Sequence, residues 1–256
     1  MRVNVAKALP VVAAAMLLLA GCLDSKTVLT VNRDGSGTLV QTVYMKPPQG
    51  QGMNVKERTL EQVKADCAKI AAMLGEGVTL KSVTALQPRD GWKGYQIVYA
   101  VADVTKLKVG YVPPMNAGMK TDDDKLLAFE FQGGATPQLT IVRPPIRMGG
   151  TQGDDDDKGP DPRMVQAVDG MRLAFEVRVD GTIAKTNATH VTEDKTGVVL
   201  LVEDIGGIVK DREAYAALRA LSKLKDPEAI RAQLKGAAIQ KYVKFEPEER
   251  VTIQFK

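Results

Sequence analysis

The sequence predicts an α+β fold in which antiparallel hairpins form one or more sheets, with one long helix after the first hairpin and two short helices near the C-terminus. Three observations lead to this prediction. Short β-branched segments recur in pairs around glycine-containing turns, which is typical of hairpins. Apolar residues at helical spacing follow the first pair and return from Asp211 onward. The sequence shows no regular βαβ alternation and no repeat of fixed period, so a parallel α/β sheet is not expected.

The first 21 residues have the layout of a secretory signal peptide. Two basic residues, Arg2 and Lys7, precede an apolar run that is too short to span a bilayer. The run ends in Leu19-Ala20-Gly21-Cys22, which resembles the lipobox of bacterial lipoproteins. The resemblance implies that the chain is cut before Cys22 and that the sulfur of this cysteine carries a diacyl lipid. An ordinary signal peptide, or an uncleaved anchor with a chance cysteine, is the alternative.

This signal divides the chain into three parts. We expect residues 1–21 to form a lipoprotein signal peptide and residues 22–26 to form a lipidated tether. Residues 27–256 then form the α+β ectodomain, which could divide into two subdomains around 144–162. The folded domain therefore starts close to the lipid surface.

The ectodomain begins with a hairpin that is followed by the long helix. β-Branched residues at 27–32 and 38–45 predict two strands joined by a tight glycine-rich turn. Asn54, with Glu57 three residues later, matches a capping box and predicts a helix over 55–74. Apolar residues at alternating three- and four-residue steps define the buried stripe of this helix: Leu60, Val63, Cys67, Ile70 and Leu74.

The rest of the chain alternates between strand patterns and short helices. Alternating or β-branched segments predict strands at 78–86, 95–104, 126–131, 138–142, 173–179, 182–189, 198–202 and 251–255, with a short helix at 162–168. From Asp211 a helical period predicts one amphipathic helix ending near Leu224 and a second one that carries Ile230 and Leu234. We expect the first of these to pack on the core, although it could instead face a partner or a membrane.

A loop rich in glycine, proline and aspartate interrupts the middle of the chain. It contains four consecutive carboxylates, which are weak candidates for a calcium site: Asp154, Asp155, Asp156 and Asp157. The alternating spacing of an EF-hand loop is absent, and adjacent carboxylates do not converge easily on one ion. We therefore favour a solvated charge run, with a cation site or a partner-facing patch as the alternatives, and expect no metal or other cofactor.

Composition excludes several classes of function. The whole chain has 35 basic and 31 acidic residues, and removal of residues 1–21 would leave 33 basic residues, so the mature chain is near neutral. No basic block is present, which argues against a nucleic-acid partner. His190 is the only histidine, so histidine-cluster metal sites and Ser-His-Asp catalysis are not expected. His190 lies beside Glu193 and Asp194 and could act as a base, but no nucleophile in a strained turn accompanies it.

The second cysteine has two interpretations. If Cys22 carries a lipid, Cys67 has no partner for an internal disulfide. A lone exported thiol could be reactive. We favour burial instead, because Cys67 lies on the apolar stripe of the long helix.

Two segments together resemble a known family. The first follows the lipobox directly and reads Thr27-Val28-x-Thr30-Val31-Asn32-x-Asp34-Gly35-Ser36-Gly37-Thr38. The second lies in the second half of the chain and reads Leu173-x-Phe175-x-Val177, followed by Gly181 and Asn187-Ala188. They are similar to the LppM-type group of bacterial lipoproteins, which implies an α+β sheet ectodomain resembling lipid-binding folds. The chain departs from this group over 106–160 and ends on two helices and a strand rather than on a transmembrane segment.

These observations favour a non-enzymatic, membrane-anchored bacterial lipoprotein that acts as a binding or envelope-structural module. Its expected partners are the membrane, through the lipid on Cys22, and an envelope protein or lipid. The alternatives are a carrier of a hydrophobic ligand or lipid in a pocket between sheet and helix, and a hydrolase with an unrecognised site. Leu23 rather than aspartate follows Cys22. By resemblance to sorting in enteric-type envelopes, this favours the periplasmic face of the outer membrane in a cell that has one.

Overall fold

The computed structural model describes residues 23–46, 58–89, 91–112, 125–144, 159–224, 229, 230, 232 and 237–256. Within these ranges it contains eleven strands and five α-helices. The strands are β1 (Leu23–Val31), β2 (Gly37–Met45), β3 (Val78–Arg89), β4 (Trp92–Val101), β5 (Ala128–Gln132), β6 (Gln138–Val142), β7 (Arg172–Val179), β8 (Ile183–Thr186), β9 (Gly197–Asp204), β10 (Val243–Phe245) and β11 (Arg250–Phe255). The helices are α1 (Leu60–Met73), α2 (Pro162–Ala167), α3 (Ile205–Lys210), α4 (Arg212–Ser222) and α5 (Ala237–Gln240).

The strands form two sheets, and their layout differs from the predicted one. The seven-stranded sheet has the order β10-β9-β7-β1-β2-β4-β3, and the four-stranded sheet has the order β5-β6-β11-β8. The prediction of antiparallel hairpins alone was wrong, because β1 pairs in parallel with β7 across more than 140 residues of chain. Residue patterns define which segments are strands, whereas the choice of a distant partner depends on how the faces pack.

The start of the first strand also differs from expectation. Residues 23–26 were predicted to be a tether, yet they belong to β1, which pairs along its length with β2 and β7. Burial alternates strictly along β1, beginning with buried Leu23 and ending with buried Val31. The large sheet therefore has one buried face and one face open to solvent, as a period of two requires. The fold begins directly after Cys22.

The buried face of the large sheet, the four-stranded sheet and α1 share one apolar core. The stripe predicted for α1 is confirmed at Cys67, Ile70 and Leu74, which are 4%, 5% and 1% exposed, whereas Leu60 and Val63 are half-buried and pack against the core. The predicted start of this helix is corrected. Thr59 is the N-cap, and its hydroxyl and the side chain of Gln62 form the capping box. Asn54 and Glu57, which sequence analysis chose for this role, lie outside the described residues.

The C-terminal third contains more helical pieces than the two that were predicted. Asp204 caps α3, and Asp211 caps α4. Helix α3 was missed because Gly206 and Gly207 are poor helix formers. Gly206 is required by packing, since a Cβ there would lie 2.8 Å from the backbone nitrogen of Gly170. Helix α4 packs on a small apolar cluster that is separate from the main core and that it forms with neighbouring helical residues: Leu221, Ile230 and Ile239.

Candidate functional site

Two of the predicted sites fall outside the described residues. Cys22 directly precedes the first described residue, and Asp154, Asp155, Asp156 and Asp157 lie in the interval between 144 and 159. In the ranges that are described, no group of three or more His, Cys, Asp or Glu side chains comes together as a potential metal site. No helix in these ranges is long and apolar enough to cross a bilayer.

A groove of about 460 Å³ lies on the open face of the seven-stranded sheet. Strands β1, β2 and β7 supply most of its walls, β9 adds Val199, Leu201 and Val202, and Arg89 comes from β3. Its lining is rich in charged side chains and includes one tyrosine ring: Asp24, Lys26, Tyr44, Arg89, Arg172 and Glu176. Asp24 and Lys26 project from the open face because they alternate with the buried positions of β1. The strand irregularities at Phe175/Glu176 and Leu86/Arg89 also lie at the groove, whose lining combines these charged side chains with apolar ones.

Ion pairs order the side chains of the groove. The guanidinium of Arg89 stacks on Tyr44, 3.8 Å from the ring centroid, and pairs with Asp24. Lys26 Nζ lies 3.3 Å from the carboxylate of Glu176. Arg172 is exposed at the groove and forms no ion pair with another described residue. The groove thus carries one cation without a close ion pair in the described structure, although Asp24 and Asp204 are its register partners on the neighbouring strands.

The groove lies at the end of the sheet where β1 begins. Asp24 is two residues from Cys22, and two residues of chain span at most about 7 Å. Strand β1 is the fourth of the seven strands and so occupies the middle of the sheet. A lipid on Cys22 would therefore attach the protein through its central strand, within a few ångströms of the groove.

His190 is not brought together with a nucleophile in the described structure. Its backbone N–H donates to the carboxylate of Glu246 at 3.3 Å. The neighbouring Asp194 accepts hydrogen bonds from Thr192 and Thr196 instead, and it pairs with Arg178. These hydrogen bonds, led by that from the Thr192 hydroxyl, hold the pKa of Asp194 well below its ordinary value. Asp194 is therefore part of a turn and does not orient the histidine.

A second polar site, which sequence analysis missed, lies inside the core. Arg143 is 4% exposed, and neither of its terminal nitrogens has a hydrogen-bond partner among the described residues. The hydroxyl of Tyr111 is likewise buried and has no hydrogen bond of good geometry among the described residues, although it lies near the guanidinium of Arg143. The sequence did contain a signal, because Arg143 continues the alternation of Leu139 and Ile141, which are both fully buried.

The surroundings of Arg143 fix its position. Its Nε donates to the carbonyl oxygen of Glu248 at 2.6 Å, and its guanidinium carbon lies 4.5 Å from the ring centroid of Phe245. Tyr111 also lies against Phe245, at 6.4 Å between centroids, and meets Phe175 edge to face at 5.9 Å. Burial raises the pKa of Tyr111, and the positive charge of Arg143 opposes that rise. The two polar groups thus share one aromatic wall.

The nearby carboxylate of Glu246 is already fully engaged. Glu246 has no solvent exposure, and its two oxygens accept hydrogen bonds from the backbone N–H groups of Thr189, His190 and Glu248. No ion pair joins Glu246 to Arg143. The charges of Arg143 and Glu246 nevertheless both act on the pKa of Tyr111, so the two groups lie near the same hydroxyl.

Comparisons with known proteins give little guidance. No protein-family model matches the chain, and no curated protein matches it. The solved structure of the folded domain of LppM from Mycobacterium tuberculosis, determined by NMR, is similar at 12% sequence identity and a TM-score of 0.29. The match covers 70% of this chain and 81% of that chain. LppM gives its name to the group that the two sequence segments resemble, but a likeness at this score establishes neither fold nor function.

Proposed function

We propose that this chain is a lipid-anchored protein of the cell envelope that acts as a non-enzymatic binding module through the groove on its large sheet. The observation that carries the proposal is the start of β1 directly after Cys22. This start supports the proposal because Asp24 of the groove lies two residues from Cys22, the proposed lipidation site. A ligand held there lies at the membrane surface.

The chemistry of the groove favours a polar, charged ligand. Its volume of about 460 Å³ falls within the roughly 300–1,000 Å³ of small-molecule sites. Asp24 and Glu176 are paired with neighbouring cations, whereas Arg172 is exposed without a partner in the described structure. We therefore infer an anionic group on the ligand, supplied by an envelope protein or by a lipid headgroup. The periplasmic face of the outer membrane is the proposed location in a cell with two membranes.

The anchor is tested by the substitution Cys22→Ala. Metabolic labelling with a radioactive fatty acid should mark the parent protein and not the variant, because the sulfur that accepts the lipid is gone. The variant should also leave the membrane fraction or keep its signal peptide. Equal labelling of parent and variant would contradict a lipid on Cys22.

The groove is tested by photo-crosslinking in cells that carry the lipidated protein. A photoreactive amino acid replaces Thr42, which lines the groove, and the matched control replaces exposed Lys69 on α1. We expect a specific adduct from position 42 that weakens when Arg172→Glu is added. Mass spectrometry of the adduct then separates a protein partner from a lipid. The same adducts from both positions, or none from position 42, would overturn the groove as the binding surface.

A further inference from the structure

The unpartnered atoms around Arg143 share one chemical property. The terminal nitrogens of Arg143 can only donate hydrogen bonds, and the hydroxyl of Tyr111 can donate one. Buried polar groups in folded proteins nearly always have partners, and a buried charge is far more costly to leave unpaired than a neutral group. A guanidinium in this state indicates a binding site for an acceptor.

The position of Arg143 is determined by the fold. It follows β6 on the face that carries fully buried Leu139 and Ile141, so its side chain enters the space between the sheets. The hydrogen bond from Nε to Glu248 and the ring of Phe245 hold the stem of the side chain. The edge of the guanidinium that carries both terminal nitrogens is the part left without partners. This is the edge that binds planar oxyanions through two parallel hydrogen bonds.

The neighbouring groups select against a cation or a neutral apolar ligand. Glu246 could attract a cation, but its oxygens already accept three backbone N–H groups. Phe175 and Phe245 provide an apolar wall, and Tyr111 adds one more donor. A low-dielectric surrounding strengthens an interaction between Arg143 and a negative group.

We propose that Arg143 and Tyr111 form an oxyanion site inside the core, which takes the carboxylate or phosphate of a bound ligand. The guanidinium provides the charge and two parallel hydrogen bonds, and the tyrosine hydroxyl donates a third. The oxyanion comes either from a free small anion or from the head of an amphipathic molecule. The site lies on the buried face of the large sheet and shares only Phe175 with the lining of the surface groove, so it does not depend on the lipid anchor.

Isothermal titration calorimetry on the purified full chain tests this site. The probes are acetate, laurate below its micelle concentration, inorganic phosphate and dodecyl phosphate, with dodecanol as the uncharged control. We expect laurate or dodecyl phosphate to bind if the ligand is amphipathic, and acetate or phosphate to bind if it is a free anion. Dodecanol should bind at least tenfold more weakly than either amphiphilic anion.

Variants connect the binding to the two residues. Arg143→Met should weaken the binding of the anion by about tenfold to a hundredfold, because a hydrogen bond to a charged group is lost. Tyr111→Phe, which keeps the ring and its packing, should weaken it by about fivefold. The control Arg250→Met removes an exposed arginine that pairs with Glu130 and should leave the affinity unchanged.

The outcomes are distinct from those of the groove experiments. If none of the anions binds the parent protein, the proposed oxyanion site is overturned, and water is then the acceptor for the terminal nitrogens of Arg143. Equal affinity in the parent, Arg143→Met and Tyr111→Phe would also overturn it, since binding would then occur elsewhere. Crosslinking from position 42 is unaffected by either result.

Discussion

The two halves of the buried face of the large sheet are covered in different ways. On the side of β3 and β4, α1 covers the sheet with an apolar stripe, and the polar atoms there belong to neutral groups, Cys67 and Tyr99. On the side of β9 and β10, the charged Arg143 and Glu246 are buried among aromatic rings. A buried charge costs more free energy than a buried thiol or hydroxyl. The polar groups buried in the first half are therefore the less costly ones. The second half buries charged groups whose free-energy cost is not explained by the stability of the fold alone.

The largest effect is expected for the reactivity of Cys67, which tests whether the α1 half is closed. Burial raises the pKa of the Cys67 thiol, so the nucleophilic thiolate is scarce, and the side chain is 4% exposed. In the lipidated protein at pH 8, a thiol reagent should modify Cys67 at least about a thousandfold more slowly than in the denatured chain. Rapid labelling of the native protein would mean that α1 is exposed as a docking surface.

The next effect compares neighbouring positions on α1. Ile70→Ala removes a side chain that is buried in the core and should lower the free energy of unfolding by about 2–5 kcal/mol. The matched control Lys69→Ala changes an exposed side chain and should cost less than about 0.5 kcal/mol. Urea unfolding followed by circular dichroism measures both values. Similar losses for the two variants would contradict the packing of α1 on the sheet.

The substitution Glu246→Gln tests the buried carboxylate of the charged half, whose oxygens accept three backbone hydrogen bonds. Glutamine keeps one carbonyl acceptor but places an amide N–H₂ where backbone N–H groups now donate. We expect a loss of about 1–3 kcal/mol in the free energy of unfolding. The control Glu193→Gln changes an exposed carboxylate and should stay within about 0.5 kcal/mol of the parent. A neutral result for Glu246→Gln would show that this half is more open to water than its burial indicates.

The smallest effect concerns the start of α1. Thr59→Ala should cost about 1 kcal/mol, because the hydroxyl that accepts from the backbone of Gln62 is lost. Asn54→Ala removes the cap that the sequence suggested and serves as the matched comparison. Thermal unfolding of the two variants shows whether Thr59 or Asn54 caps the N-terminus of α1. A larger loss for Asn54→Ala would place the functional cap before residue 59.

Local patterns in the sequence predicted much of the α1 half. A stripe at three- and four-residue steps determines which face of a helix is buried, so Cys67, Ile70 and Leu74 could be assigned without a structure. The hairpins β1–β2 and β3–β4 follow from alternation and short turns in the same way. Such features depend on residues that are close in the chain.

The parallel pairing and the charged half depend on distant contacts. The pairing of β1 with β7 and the bond from Arg143 to Glu248, 105 residues away, leave no local pattern. The predicted strand at 138–142 stops before Arg143, and charged residues are rarely found buried, so the sequence alone does not point to this side chain as part of the core. The spacing of two residues from Ile141 would have predicted that Arg143 faces the core, and the structure shows that it does. The groove was not predicted either, since its residues come from five strands.

The most direct test of an oxyanion site at Arg143 is the unfolding temperature of the empty protein with Arg143→Met. Methionine keeps the apolar stem, removes two buried nitrogens that have no partner in the described structure, and also removes the Nε that donates to Glu248. Replacement of buried ionic groups by apolar ones commonly stabilises proteins, so we expect the unfolding temperature to rise by roughly 2–8 °C while binding of the anion is lost. A fall by several degrees would contradict the site, because it would show that the contacts Arg143 already makes within the chain outweigh the cost of its unpartnered nitrogens.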